Sequence, residues 1–223
     1  MPENLPLYSL SPGMLPYGDA LVLQERLLER RIKGAGDVLL LLEHPPVVTL
    51  GRGADSAFVQ LSERQLKALG IELVRTGRGG EATYHGPGQL VGYPILHLDA
   101  VGRDIHRYLR LLEEVIIEAV SVFGIEARRE PSRTGVWVGQ RKIASIGVGV
   151  RRWVSWHGFA VNLEDQSGGF STIVPCGLPG VKMTSLQELL GSAPSMGELE
   201  QAVLESFCRI FSRTHAGTYE DTH

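Results

Sequence analysis

The sequence predicts an α+β fold in a single domain, and three observations carry that prediction. Residues 104–123 and 195–211 repeat apolar side chains at helical spacing, as helices that bury one face do. Between them, residues 135–163 are rich in Val, Ile and Trp and are interrupted by the polar dipeptides Gln140-Arg141 and Arg151-Arg152, which reads as an antiparallel meander. With 223 residues, 43% hydrophobic and 21% charged, the chain can bury one substantial core, and antiparallel strands mixed with helices give the α+β class. No internal repeat or low-complexity segment is present.

In chain order, residues 7–10 read as a short strand. Beyond Pro12 and Pro16, Ala20, Leu21, Leu23, Leu27 and Leu28 form an apolar stripe over 17–31, a helix stopped by Gly34 and Gly36. Residues 37–43, DVLLLLE, are a continuous apolar run of strand length, as a buried strand requires. His44-Pro45-Pro46 then turns the chain as a structural corner, and 47–50 resumes as a strand. Ser62 followed by Gln65 is a capping box for a short helix to Leu69. Residues 71–75 form a strand that enters a glycine-rich stretch, 76–93, and 90–98 leaves it as another. Asp104 caps the long helix, on which Ile105, Tyr108, Leu112, Val115, Ile116 and Ala119 recur, and Gly124 ends it. After the meander, Gly168-Gly169 and residues 175–180 mark a long loop that carries Cys176. A short helix at 186–190 and the helix at 195–211 follow, and the tail, 214–223, is expected to fray.

Composition excludes several classes. The formal net charge of −3 is not that of a polyanion-binding chain, and no run of about eighteen apolar residues spans a membrane. Two cysteines, Cys176 and Cys208, do not make a disulfide framework, and the first ten residues lack the basic and apolar segments of a secretory leader, so a cytoplasmic location is expected. Charge is nonetheless uneven: residues 131–163 contain no acid, whereas Arg133, Arg141, Lys142, Arg151 and Arg152 lie within them. That interval reads either as solvated strand edges or as a positive surface that steers an acidic partner. It lacks the repeated aromatics of a single-strand nucleic-acid platform, so no nucleic acid is expected.

Two features carry chemistry. The stretch 76–93, TGRGGEATYHGPGQLVGY, holds six glycines together with Arg78, Glu81, Tyr84 and His85, and reads as a ligand cradle or as a plain turn. Cys208 sits on the last helix between apolar neighbours, as a small buried hydrophobe would. Cys176 instead lies in a stiff loop between Pro175 and Gly177, the setting of a nucleophile that a neighbouring cation or base would activate. His85, His157 and Lys142 are the candidate partners, and spacing does not choose among them. No paired Cys/His spacing supports a metal site, and Gly77-Arg78-Gly79-Gly80 lacks the Gly-Lys-Ser/Thr ending of a phosphate loop.

Four blocks in order resemble one known family: Arg78-Gly79-Gly80-Glu81-Ala82-Thr83-Tyr84-His85-Gly86-Pro87-Gly88-Gln89, closing at Tyr93; Arg141-Lys142-Ile143-Ala144-Ser145-Ile146-Gly147; His157-Gly158-Phe159-Ala160-Val161-Asn162; and Pro175-Cys176-Gly177. They are similar to the signature of the lipoyl(octanoyl) transferases, octanoyl-acyl-carrier-protein:protein N-octanoyltransferases of lipoate biosynthesis. The resemblance implies a mixed, largely antiparallel sheet flanked by helices, the biotin/lipoate protein ligase-like catalytic fold. It implies that Cys176 takes octanoate as a thioester and that Lys142 is its partner. It also implies that Arg78, Gly79, Gly80, Glu81, Ala82, Thr83, Tyr84 and His85, with Ser145, Ile146, Gly147, Gly158, Phe159 and Ala160, line the acyl-substrate site.

The implied donor is octanoyl-phosphopantetheine on acyl carrier protein. The implied acceptors are lipoyl domains of 2-oxoacid dehydrogenase E2 subunits and the glycine cleavage H protein. A thioester is already activated, so no cofactor, ATP or metal is expected. Both partners are typically acidic in this family, which makes residues 131–163 a candidate docking surface. The competing readings are an ATP-dependent lipoate or octanoate ligase on the same fold, which needs no cysteine nucleophile, and a non-catalytic acyl- or lipoyl-protein binding module.

Overall fold

The structure is a computed structural model that describes residues 5–131, 133–174 and 180–220. Its larger sheet contains β1 (Leu5–Met14), β2 (Asp37–Glu43), β6 (Gln89–Ile95), β7 (Arg128–Glu130), β8 (Arg133–Val138), β9 (Arg141–Arg151), β10 (Val154–Asn162), β11 (Lys182–Met183) and β12 (Arg213–Thr218). The strand order is β12-β1-β2-β6-β10-β9-β8-β7, with β11 added beside β9. β1 runs parallel to β2 and β12, and β11 parallel to β9; the other pairings are antiparallel. A smaller sheet, ordered β4-β3-β5, is made of β3 (Val47–Leu50), β4 (Glu72–Arg75) and β5 (Ala82–His85).

The unbroken leucines of β2 are explained by cover on both faces. Leu39 and Leu41 pack with α3 (Ile105–Ser121) and α6 (Met196–Ile210), while Val38, Leu40 and Leu42 pack with Ala20, Leu27 and Leu28 of α1 (Tyr17–Ile32). Alternation vanishes from a strand when neither face meets water. The helix starts follow from their caps: Ser62 and Ser195 close full capping boxes, and Asp104 accepts the Arg107 N–H. The β9–β10 turn places both Arg152 and Trp153 at positive φ, the backbone of a tight hairpin.

Two expectations are corrected. The first strand runs from Leu5 to Met14 instead of 7–10, because the register with β2 shifts between Leu10 and Gly13 and so accommodates Pro12. The tail does not fray at 214: Arg213–Thr218 pairs with β1, and the Arg213 guanidinium is buried against the Asp37 carboxylate at 2.9 Å. The glycine-rich stretch also contains more structure than expected. β5 lies within it, so 76–93 follows β4, adds β5 to the small sheet and ends in β6 of the large one.

Candidate active site

The site lies where the large sheet parts. β8 and β9 are paired at Val136–Ala144, Trp137–Lys142 and Val138–Arg141, with Ile143 skipped as a bulge. Bulges beside sites re-aim side chains and end pairing. Beyond Ala144, residues Arg133 and Thr134 on one side and Ser145, Ile146, Gly147 and Val148 on the other line a cavity of roughly 560 Å³, within the range of small-ligand pockets. The glycine-rich loop roofs it. Gly79 N–H donates to Val148 O at 2.8 Å, and a Cβ on Gly147 would stand 2.8 Å from Gly79 O, so the loop rests on β9 because that residue is glycine.

The sequence-derived residues converge here. Arg78, Gly79, Gly80, Glu81, Ala82, Thr83 and His85 line the cavity from the loop and β5, and Gly158, Phe159 and Ala160 line it from β10. Lys142, only 2% exposed, lines it from β9, with Nζ 5.6 Å from the centre of the Trp137 ring. Tyr84 is not part of the lining; it lies in a separate cluster, edge-on to Phe170 at 5.9 Å. Cys176 lies outside the described residues.

Arg78 holds the roof in shape. Its guanidinium donates to Thr49 O at 2.6 Å, Thr49 Oγ1 at 2.9 Å and Glu81 O at 2.8 Å, and thereby ties the loop to β3. Other polar atoms of the lining have no partner among the described residues: Glu81 Oε2, Thr83 Oγ1 and both ring nitrogens of His157 are buried there without a hydrogen bond. Unsatisfied buried polar groups are rare, and a group of them around one cavity marks a place where a ligand or water completes the bonding.

Three imidazoles gather beneath the roof. His44 Nδ1–H donates to Leu15 O, which leaves Nε2 to accept the Tyr93 hydroxyl, each at 2.7 Å. His85 is oriented by a chain of amides. Asn162 Nδ2 donates to Thr184 O, Gln89 Nε2 to Asn162 Oδ1, and His85 Nδ1–H to Gln89 Oε1 at 2.7 Å. The fixed carbonyl at one end sets every orientation, and His85 Nε2 is left as an acceptor. Burial is the main cause that lowers His44 to about 4, against the bond to Leu15. Burial, then the charge of His44, lowers His85 to about 3. Burial, then Arg78 and Arg52, lowers His157 to about 3. All three are neutral at neutral pH, so they offer lone pairs and N–H groups, not charge.

The catalytic-domain model described as lipoyl protein ligase A/B matches residues 16–208. The octanoyltransferase of Geobacter metallireducens is 47% identical over 196 residues, covering 87% of this chain and 89% of the relative. That of Gloeobacter violaceus is 48% identical over 204 residues, covering 91% and 89%. The chain belongs to the octanoyltransferase family. Its architecture is similar to that of the bipartite lipoate protein ligase of Thermoplasma acidophilum, with a TM-score of 0.74 at 18% identity over 98% of this chain and 88% of that one. It is also similar to biotin protein ligase of Aquifex aeolicus in complex with biotin and ATP, with a TM-score of 0.57 at 15% identity over 94% and 70%. The α+β class and the ligase-like catalytic fold expected from the sequence are those of this octanoyltransferase-family chain.

The structure also shows what sequence reasoning missed at this octanoyltransferase-family site. Tyr17, Tyr93, Ile105, Leu109, Val148 and Val150 join the lining. His44, read as a corner residue, supports Tyr93 from behind. The interval 131–163 is acid-free in sequence but not in space, because Arg141 pairs with Glu188 and Arg151 with Glu29. No helix among the described residues is long and apolar enough to cross a membrane.

Proposed function

We propose that this chain moves an octanoyl, or lipoyl, group onto a lysine of lipoyl domains in protein lipoylation, in two steps through Cys176. The observation that supports this reading best is Lys142: a buried lysine in the wall of the cavity, in a chain nearly half identical to octanoyltransferases. An ammonium beside a thiol favours the thiolate, which is the nucleophile.

In the first step the Cys176 thiolate attacks the carbonyl of octanoyl-phosphopantetheine on acyl carrier protein. The new C–S bond forms as the bond to the pantetheine sulfur breaks, and that sulfur takes the proton of the Lys142 ammonium as it leaves, so Lys142 becomes neutral. In the second step the amine of an acceptor lysine attacks the acyl-enzyme. The amide forms, the Cys176 sulfur leaves as a thiolate, and the neutral Lys142 takes the proton lost by the amine, which restores the starting pair. Both steps start from a thioester, so the transfer draws on no nucleotide or metal. Seven carbons beyond the carbonyl, at about 0.8 kcal/mol each, give roughly 5–6 kcal/mol for burying the chain in the cavity. E2 subunits and the glycine cleavage H protein are the acceptors.

Intact protein mass tests the reading. After incubation with octanoyl-acyl carrier protein, the chain should gain one octanoyl group, and Cys176→Ala should gain none. No adduct on the unaltered protein, with lipoyl domain modified only when ATP is present, would replace the transferase with a ligase.

A further inference from the structure

We propose that Glu113, a residue of α3 that does not line the cavity, positions Lys142 by fixing the backbone of Gly135. The proposal rests on the reading of Lys142 as the partner of Cys176. Glu113 is fully buried on a helix face that otherwise carries Leu112, Val115 and Ile116. A carboxylate in such a place is costly unless each oxygen is matched. Here each is: Oε2 accepts from Arg110 at 2.6 Å and lies 3.2 Å from Arg129 Nε, and Oε1 accepts the Gly135 N–H at 3.1 Å.

The residue held in this way has a backbone that only glycine adopts readily, with φ +126. A Cβ there would stand 2.4 Å from Lys142 Cε, 3.0 Å from Nζ and 2.6 Å from Ala144 O. The bare backbone of Gly135 is therefore the wall against which the end of Lys142 lies. One residue later the β8–β9 register skips Ile143, and the Trp137 ring faces the ammonium from a neighbouring position. Gly135 thus stands where β8 leaves β9 and the cavity opens. Glu113 is the side chain that holds it there, through a helix-to-strand contact supported by Arg129 of β7. If Gly135 relaxed to ordinary strand geometry, Glu113 Oε1 would lose its donor and the space around Lys142 would change shape.

The test uses alkylation of Cys176 by iodoacetamide as a function of pH, in a Cys208→Ser background so that one thiol reports. Lys142→Ala should slow alkylation at pH 7 by about tenfold, the equivalent of one unit in the thiolate titration. Gly135→Ala should approach that loss, with its titration displaced in the same direction. Glu113→Gln keeps the shape but offers one oxygen where two are used, so a loss of about threefold or more is expected. A cooperative thermal transition in each variant shows that the fold is intact; if Gly135→Ala does not fold, Glu113→Gln decides alone. Titrations of Glu113→Gln and of folded Gly135→Ala that match the parent, beside a slowed Lys142→Ala, overturn the positioning role. An unaffected Lys142→Ala overturns the partner reading itself, and the proposal with it.

Discussion

Acid should unfold this protein sooner than its carboxylates alone would require, because His44, His85 and His157 are buried together as neutral imidazoles, 0%, 6% and 1% exposed. Their folded values of about 4, 3 and 3 lie below the ordinary 6.5. A base depressed in the folded state takes up its proton on unfolding. Its contribution to stability is therefore complete above pH 6.5 and is lost as the pH falls toward 3 to 4. At pH 5 each unfolded imidazole gains RT ln(1 + 10^1.5), about 2 kcal/mol. Three together remove roughly 6 kcal/mol, which is comparable with the ~5–15 kcal/mol stability of an ordinary domain. Urea titrations followed by tryptophan fluorescence between pH 8 and 5 measure this. The slope of unfolding free energy against pH should reach two to three protons between pH 6 and 5, about 3–4 kcal/mol per pH unit. His157→Asn should remove close to one of those protons. Uptake below one proton in that window, or an unchanged slope in His157→Asn, would refute the reasoning.

Four further outcomes follow from the site. Arg78→Lys replaces a planar fork with a point charge that cannot serve Thr49 O, Thr49 Oγ1 and Glu81 O together, so about 3 kcal/mol of stability should be lost and amide exchange at residues 79–82 should quicken; exchange at the parent rate would contradict the clamp. Gly147→Ala drives a methyl toward Gly79 O, 2.8 Å from its ideal position, and should cost about 1–3 kcal/mol in thermal stability with a larger fall in kcat/KM. Hexanoyl donor lacks two methylenes, about 1.6 kcal/mol of burial, and should fall roughly fifteenfold below octanoyl donor in kcat/KM by competition assay; equal values would mean that the cavity does not hold the chain. The double variant Arg133→Glu/Arg152→Glu should slow transfer from carrier-bound octanoate more than from octanoyl-pantetheine, whereas equal losses would argue against a docking surface.

Local physics made much of the fold readable. β2 shows itself as consecutive leucines because both of its faces are covered, and Ser62 and Asp104 announce helices because the capping bond lies within three residues. β12 could not be read in this way. Its RTHAGT carries no apolar alternation, and its partner β1 lies about two hundred residues earlier, so its formation depends on an encounter that no local window contains. The same limit separates the parts of the site. The glycines of 76–93 were legible as a backbone built for close approach, but what they approach, Val148 and Gly147, is set by sheet register.

The choice among His85, His157 and Lys142 depended on surroundings in the same way, and the structure gives the three different surroundings. The two histidines belong to a neutral group with His44, drawn from the ends of β2 and β5 and the body of β10. A charge on His44 or His157 raises the cost of charging His85, and Arg78 opposes a charge on both His85 and His157. Such groups orient and recognise; they are poor reservoirs for a proton at neutral pH. Lys142 faces the bare backbone of Gly135 and the ring of Trp137, and Glu113 stands behind Gly135. In sequence, Glu113 is one of two adjacent glutamates on an amphipathic helix, and nothing marks it apart from Glu114. Only the packing shows that one of the pair is half-buried and paired with Arg129, while the other lies in the core and accepts the Gly135 N–H of the strand against which Lys142 rests. The acid–base role proposed for Lys142 therefore rests on contacts between elements, not on the motif that first drew attention to it.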